Sequence, residues 1–297
     1  MLEAFLHCRP RLLGIAYGVL GDLEEAEDVV QDAWLRLKAG APEAVVNLEA
    51  FLVTVTTRLA IDRLRSARKR REEYVGTWLP EPLLVDEADP ESLAIEAADL
   101  SLALLSMLER LNPVERAVLV LRDAFDFDYA EIADIIEKTP TNCRQLAKRA
   151  RQHVGQPVRR HRSSREQADV LIAAFTTAVR TGDVKELEAM LAADAILYSD
   201  GGGEAPAARK PIYGAAKISR FFAGVRRKGY FGPELSYSTV RINGGPGLLR
   251  TDATNRPRAL IVLESLDGAI VGIRLINNPR KLSRLASPAI GRPSAPA

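Results

Sequence analysis

The feature that most limits how this chain can fold is "REEYVGTWLPEPLLVDEADPE", residues 71–91. Pro80 and Pro82 each lock φ and lack an amide donor, and each pushes the preceding residue into extended backbone. No regular helix can cross this stretch. From Glu72 to Asp99 there are nine acids and no Lys or Arg. At the centre of this charged segment sit Trp78, one of two tryptophans, and Leu79. An apolar cluster in a solvated linker calls for a surface to cover it.

On both sides of the break the sequence reads as helix. In "GDLEEAEDVVQDAWLRLKAG", Asp22 suits an N-cap and Gly40 a stop. Leu23, Ala26, Val30, Ala33 and Leu37 keep the three-to-four spacing of a buried face. The opposite face is acidic, and no basic residue occurs from Leu12 to Leu35. That face should repel DNA and suit a protein partner. "LEAFLVTVTTRLAIDRLRSARKRR" predicts one long helix with a buried stripe at Leu48, Leu52, Val55 and Leu59. Beyond the linker, "SLALLSMLERLNPVERAVLVLRDAF" holds two helices, with Asn112 as cap and Pro113 at the first helical position. Tyr129 to Ile136 predict a short helix. Lys138 and Thr139 turn the chain into a basic helix over 140–153. The pair is a helix-turn-helix.

The net charge of +2 conceals two basic blocks. Residues 58–71 carry seven cations and one acid, Asp62; residues 144–165 carry eight cations and no acid. Two such blocks flanking an acidic one suit two contacts with a polyanion.

Past residue 165 the pattern changes to α+β. Two helices split at Gly182-Asp183. Apolar runs follow in "AILYS", "YSTVRI", "ALIVLES" and "AIVGIRLI", the last two flanking the hairpin signal Asp267-Gly268. Residues 156–164 form a basic linker. The tail 286–297, rich in Pro, Ser and Ala, reads as disordered.

Several classes of function receive no support. Cys8 and Cys143 form no disulfide framework and no CxxC or Cys/His cluster, so neither a zinc site nor any other metal or cofactor is signalled. The default compartment is the reducing cytoplasm. No apolar run approaches the roughly 20 residues of a membrane span, and the N-terminus is not a secretory signal.

The motifs together resemble a bacterial alternative sigma factor of the extracytoplasmic-function group. "EAEDVVQDAWLRL" resembles its first conserved helix, and "AFLVTVTTRLAIDRLRSARKRR" its promoter-melting helix. "LERLNPVERAVLVLRDAFDFDYAEIADII" resembles the start of its second DNA-binding domain. "WLPEP", "NCRQL", "DGGG" and "NPRKL" resemble the narrower subgroup that carries a C-terminal SnoaL-like domain. The chain departs from the pattern at Glu137, where the family turn usually has Gly, and at Arg280, where it usually has an acid.

The resemblance implies a multidomain chain. Two all-α DNA-binding domains, a region 2 helical bundle over 1–72 and a region 4 helix-turn-helix over 99–155, are separated by an acidic linker, 73–98. An α+β SnoaL-like cone follows over 165–285. It implies promoter DNA and core RNA polymerase as partners. Arg58, Asp62, Arg65 and Lys69 would meet the −10 element, with the base-capture loop in "LKAGAPEAVVN". Thr141, Asn142, Arg144, Gln145 and Lys148 would face base edges of the −35 element, with Arg149 and Arg151 on phosphates. Glu27, Asp28, Gln31 and Asp32 would dock on the clamp helices of the polymerase β′ subunit.

A regulatory interface is expected where three distant motifs meet: Trp78, Leu79, Pro80, Glu81 and Pro82; Asp200, Gly201, Gly202 and Gly203; and Asn278, Pro279, Lys281 and Leu282. Control in cis would replace a separate anti-sigma protein. The glycines read as a tight turn that lets another segment approach. Some SnoaL-like relatives are enzymes using Asp and His, but His7, His153 and His161 all lie outside this domain. Asp194, Tyr198 and Asp200 stay open as acid/base candidates. A small ligand without turnover is the preferred reading, and the chain as a whole is read as a non-enzyme. The competing readings are a SnoaL-like isomerase or cyclase fused to a DNA-binding module, and a two-site DNA-binding repressor.

Overall fold

The computed structural model describes residues 1–40, 47–86, 88–154, 165–232 and 235–285. Residues 41–46 of the capture-loop segment, the basic linker and the tail lie outside these residues. The chain divides into two compact units, Met1–Glu73 with Val85–Val158 and Tyr74–Leu84 with Arg159–Ala297. The acidic linker is therefore not one element. Its first part, Tyr74–Leu84, folds as a strap within the second unit. Its second part enters the first unit through a short helix.

The first unit is helical: α1 (Leu2–Leu20), α2 (Leu23–Ala39), α3 (Leu48–Glu72), α4 (Pro90–Ala97), α5 (Leu102–Leu108), α6 (Pro113–Leu119), α7 (Tyr129–Ile136) and α8 (Pro140–Val154). The caps follow the sequence. Asp22 accepts from the Glu25 amide and Asn47 from the Ala50 amide. Asn112 with Glu115, and Asp128 with Glu131, form reciprocal capping boxes. One turn of π-helix, Val120–Ala124, extends α6.

The buried face of α3 differs from the expected stripe. Leu52, Val53, Thr56, Thr57, Ala60, Ile61, Leu64 and Ala67 are buried, while Leu48, Val55 and Leu59 are only partly so. This helix packs on α1 and α2 and also on α6 and α7, so its covered surface is wider than one stripe.

An ion triad containing a buried arginine fastens the unit. Arg116, 1% exposed, donates through Nε to the Gly18 carbonyl at 3.1 Å and pairs with Glu109. Arg71 pairs with the same carboxylate at 2.6 Å and donates to the Leu20 carbonyl. The ends of α1, α3 and α5 thus share one charge cluster with α6. Burial lowers the pKa of Arg116, opposed by Glu109.

The second unit holds α9 (Arg165–Thr181), α10 (Val184–Met190), β1 (Leu191–Asp200), β2 (Ile212–Tyr213), α11 (Ala215–Arg227), β3 (Ser236–Ile242), β4 (Gly245–Thr251), β5 (Pro257–Leu266), β6 (Ala269–Ile276) and α12 (Pro279–Leu282). The six strands lie in the order β2-β1-β6-β5-β4-β3, parallel only between β1 and β6. Register shifts in β1/β6, β4/β5 and β5/β6 bend the sheet. One apolar core joins Phe175 and Ile172 of α9, Leu187 of α10, Ile218 and Phe222 of α11, and the strands. Asp267 and Gly268 turn β5 into β6 with φ of 50° and 80°, as a two-residue hairpin requires.

Helix α1 approaches the π-helical turn closely. A Cβ on Gly18 would lie 2.8 Å from Val120 Cγ1 and 3.4 Å from the Leu100 methyls. Alanine gains about 1 kcal/mol over glycine inside a helix, whereas overpacking costs about 1–3 kcal/mol. Gly18→Ala should therefore lower the thermal midpoint, and adding Val120→Ala should recover part of the loss. A Gly18→Ala midpoint at or above the parent value contradicts this packing.

Candidate functional site

The basic helices present their polar faces as expected, with some residues already engaged. On α8, Cys143, Leu146, Ala147 and Ala150 are buried, and Thr141, Arg144, Gln145, Lys148 and Arg149 are exposed. The Thr139 hydroxyl caps the Asn142 amide at 3.2 Å, and Asn142 is partly buried. Arg144 also sits 5.5 Å from the Tyr129 ring centre. Arg151 is paired with Asp123 at 2.5 Å, a hydrogen bond that raises its pKa. Burial pushes the Cys143 thiol up, which suits a packed side chain rather than a reactive one.

On α3, Asp62 and Arg65 are exposed and paired with each other at 2.8 Å. The Lys69 side chain lies outside the described residues. Arg58 is held within its own unit by the C-terminal end of α7. Its guanidinium donates to the Ile135 carbonyl at 2.7 Å and the Asp134 carbonyl at 3.1 Å, and pairs with Glu137 at 2.7 Å. Glu137 ends α7 in the left-handed region, φ 54° and ψ 53°, the conformation that favours glycine.

The acidic face of α2 is present but not wholly free. Asp28 and Gln31 are exposed; Glu27 and Asp32 are partly buried. Arg63 of α3 reaches Asp28 at 2.9 Å and Asp32 at 3.5 Å. Leu35, 53% exposed, extends the same face one turn further.

In the second unit the structure brings the three distant motifs together. Asp200, at the end of β1, is fully buried. Its Oδ1 accepts from the Tyr74 hydroxyl and, at 3.0 Å, from the Gly202 amide. Its Oδ2 accepts from the Leu79 amide at 2.9 Å and from Lys281 Nζ at 2.7 Å. Lys281, 8% exposed, also donates to the Leu79 carbonyl and lies 4.1 Å from the Trp78 ring centre. Burial and the Asp200 hydrogen bond hold the Tyr74 hydroxyl well above the usual phenol range.

The flanking residues complete this latch. Asn278 caps α12 and donates to the Tyr74 oxygen at 2.8 Å, and Pro279 opens the helix. A Cβ on Gly202, whose φ is +65°, would lie 2.7 Å from the Asn278 side chain. One on Gly201 would lie 2.1 Å from the Ala205 carbonyl oxygen, so both positions exclude a side chain. Gly203 is exposed and faces Val75. Leu79, Pro80, Glu81, Pro82 and Leu282 are buried, and Glu81 pairs with Arg284 at 3.5 Å. The strap then reaches β3, where Leu83 and Asn243 exchange two hydrogen bonds and Leu84 bridges Ile242. Arg280 pairs with Glu204 at 3.0 Å across an exposed surface. Such a pair contributes about 0–1 kcal/mol.

The same unit contains a cavity of about 190 Å³. Phe221, Phe222, Tyr230, Phe231 and Tyr237 form aromatic walls over Leu248 and Ile261. Lys228, Arg250 and Asn277 supply the polar groups. Asp194, Tyr198 and Asp200 are not among the lining residues: Asp194 is exposed, Arg274 lies 5.9 Å from the Tyr198 ring centre, and Asp200 belongs to the latch. Sequence reasoning expected a small-ligand site in this domain but missed the lining residues, which come from separate loops, one helix and four strands without a shared motif.

Comparison with known proteins agrees with this division. The Sigma-70 region 2 family matches residues 4–70 and the Sigma-70 region 4 family residues 101–154. The ECF RNA polymerase sigma factor SigJ of Mycobacterium tuberculosis is 36% identical over 238 residues, 79% of this chain and 75% of the relative. A probable ECF sigma factor SigI of the same species is 37% identical over 183 residues, 60% of this chain and 62% of that one. The crystal structure of M. tuberculosis SigJ superposes with a TM-score of 0.78 at 30% identity, covering 97% of this chain and 99% of that one. The two helical regions and the bent sheet thus define a sigma factor fused to a SnoaL-like α+β domain. The chain belongs to the extracytoplasmic-function RNA polymerase sigma factors, which direct the polymerase to specific promoters and initiate transcription. Among the described residues no helix is long and apolar enough to cross a membrane.

Removing one partner of a buried ion pair costs about 3–5 kcal/mol. Asp200→Asn should leave Lys281 buried without its counter-charge and loosen the strap. Limited proteolysis should then cut within 74–84 while the sheet stays intact. Unchanged resistance of the strap contradicts the latch.

Proposed function

We propose that this sigma factor is controlled in cis through the strap, and that the SnoaL-like domain regulates rather than catalyses. The observation that carries the reading is the convergence of Trp78-Leu79, Asp200-Gly202 and Asn278-Lys281 on one buried carboxylate. The strap lies in sequence between the −10-reading and −35-reading helices. Whatever holds or frees it alters the chain that joins the two readers. Burying Leu79 alone stabilises by about 1.5–3 kcal/mol, enough to bias a two-state arrangement tenfold or more.

Within this reading Asp28, Gln31, Asp32 and the exposed Leu35 dock on the β′ clamp helices. Arg63 would then exchange its acidic partners for the polymerase. Arg144, Gln145 and Lys148 read base edges, and Arg149 holds a phosphate. Arg151 stays with Asp123 as a structural pair. Arg58 reaches the −10 element only after leaving α7, so the conformation described is closed at that residue. Control within one chain would make a separate anti-sigma partner unnecessary. The absence of any carboxyl or imidazole among the described cavity-lining residues favours binding over acid/base turnover.

Run-off transcription with core polymerase tests the control. Trp78→Ala and Lys281→Met should each change output about fivefold or more at equal folded concentration. Parent-level output from both would sink cis-regulation. Promoter reading is tested separately by binding selection. Arg144→Ala should relax −35 preference at a cost of about 1–3 kcal/mol. Arg149→Ala should weaken all sequences alike and reduce the salt slope by about one unit. Intact sequence preference in Arg144→Ala contradicts the assigned register of α8.

A further inference from the structure

The cavity of the second unit has an electrostatic imbalance. Arg250, on β4, is partly buried along its wall. Its Nη1 donates to the Tyr230 carbonyl at 2.6 Å and its Nη2 to the Arg258 carbonyl at 3.5 Å. Its Nε is buried with no hydrogen-bond partner. The charged and titratable groups that act on it are Tyr237, Tyr230 and Arg258, none of them a carboxylate, and burial lowers its pKa. Buried charges are ordinarily paired. Here a guanidinium lines an apolar chamber without a counter-charge among the described residues, and the exposed Lys228 adds a second cation at the mouth.

The walls specify the rest of the occupant. Phe231 and Tyr237 lie parallel, 5.9 Å apart between ring centres, and Phe222 meets Phe231 edge-on at 6.3 Å. Aromatic surfaces of this kind favour another ring. A cavity of about 150 Å³ holds benzene; about 190 Å³ has room for one ring bearing a small acid group.

The chamber also touches the latch. Asn277 lines it, donates its side-chain amide to the Pro206 carbonyl at 2.8 Å, and donates its backbone amide to the Asp200 carbonyl at 2.7 Å. The next residue, Asn278, donates to the same carbonyl and to Tyr74. An occupant packed against Asn277 thus orders the backbone that presents Asp200 to the strap.

We propose that this cavity is an effector site for a compact aryl carboxylate, held by Arg250 and Lys228, and that its occupancy tightens the strap at Asp200. The binding half stands independently of the sigma-factor mechanism. The coupling half rests on cis-control through the strap. Arg250 supplies the charge-assisted contact, the aromatic walls take the ring, and Asn277 relays occupancy to the latch.

The test uses the full-length protein, with sodium benzoate as probe and benzamide as its neutral isostere. Calorimetry should show one benzoate per chain, bound about tenfold or more tightly than benzamide, the scale of a hydrogen bond to a charged group. Arg250→Gln should erase that preference. Should this variant not fold, Lys228→Gln at the exposed mouth should reduce the preference, and Val225→Trp, on the α11 wall of the cavity, should block both ligands. Equal binding of benzamide and benzoate overturns the anion site, as does benzoate binding indifferent to these variants. Saturating benzoate should also slow hydrogen exchange of the Leu79 amide about fivefold, the lower end of ordinary allosteric coupling. Benzoate bound with Leu79 exchange unchanged or faster overturns the relay. Neither readout needs polymerase, so failure here is distinguishable from failure of the transcriptional control.

Discussion

The second unit is organised around one buried carboxylate. Asp200 ends β1, faces no solvent, and accepts from Tyr74, Leu79, Gly202 and Lys281. Each donor comes from a piece of chain that could not stay where it is without that acceptor. The Leu79 amide has no sheet partner, and Pro80 and Pro82 remove the neighbouring donors, so the strap cannot pair as a regular strand. Lys281 would be a buried ammonium without the Asp200 carboxylate. A charge at this centre is not the most stable choice, since apolar packing of equal volume often does as well or better. It fixes one register of the strap, because any slide takes the Tyr74 hydroxyl and the Leu79 amide away from Asp200 and the Leu79 carbonyl away from Lys281. A contact that is strong when complete and costly when half-made suits an element with two discrete states.

The first unit uses the same device for a different end. Glu109 accepts from Arg71 and Arg116 at the place where α1 stops. Gly14 and Gly18 let α1 approach Phe125 and Val120 closely enough that a Cβ at either position would collide. The unit is held by side chains packed directly against the α1 backbone plus one largely buried charge cluster. Arg58 lies outside that cluster. Its partners are two carbonyls at the open end of α7 and one exposed acid, a set that can be given up without uncovering a buried charge.

Much of this architecture was legible because its signals are local. Asp22 and Asn112 announce helix starts, and Asp267-Gly268 announces a hairpin. The turn before Pro140 separates the two helices of the DNA reader. Strand β4 escaped because Gly245, Pro246 and Gly247 read as turn residues. Helix α11 escaped between a Gly-rich loop and strands. The buried stripe of α3 was misread because a helix packed on two sides has no single period. Arg151, Asp28 and Asp32 carry the right chemistry for their expected partners, yet each is already paired, which no spacing rule reveals. The strap, glycine and C-terminal motifs were legible, as was their meeting, but the buried carboxylate of Asp200 as the shared acceptor was not. The cavity was illegible because Arg250 and Asn277 become neighbours only through the register of β4, β5 and β6.

Glu137 shows how a local misfit follows from a distant contact. A left-handed residue at a helix end favours glycine, and a non-glycine residue there costs about 1–2 kcal/mol. An exposed ion pair recovers about 0–1 kcal/mol, so its link to Arg58 does not offset the strain by stability alone. The carbonyls of Asp134 and Ile135 complete the account. With α7 ended by a left-handed turn at residue 137, both carbonyls point free of the helix, and Arg58 takes both while its remaining donor takes the carboxylate. Glycine at 137 would give the turn and the two carbonyls without the third contact. The side chain therefore adds little to the fold and specifically strengthens the hold on Arg58, the arginine proposed to meet the −10 element. That makes the departure at 137 a local adjustment of how firmly the end of α7 holds Arg58.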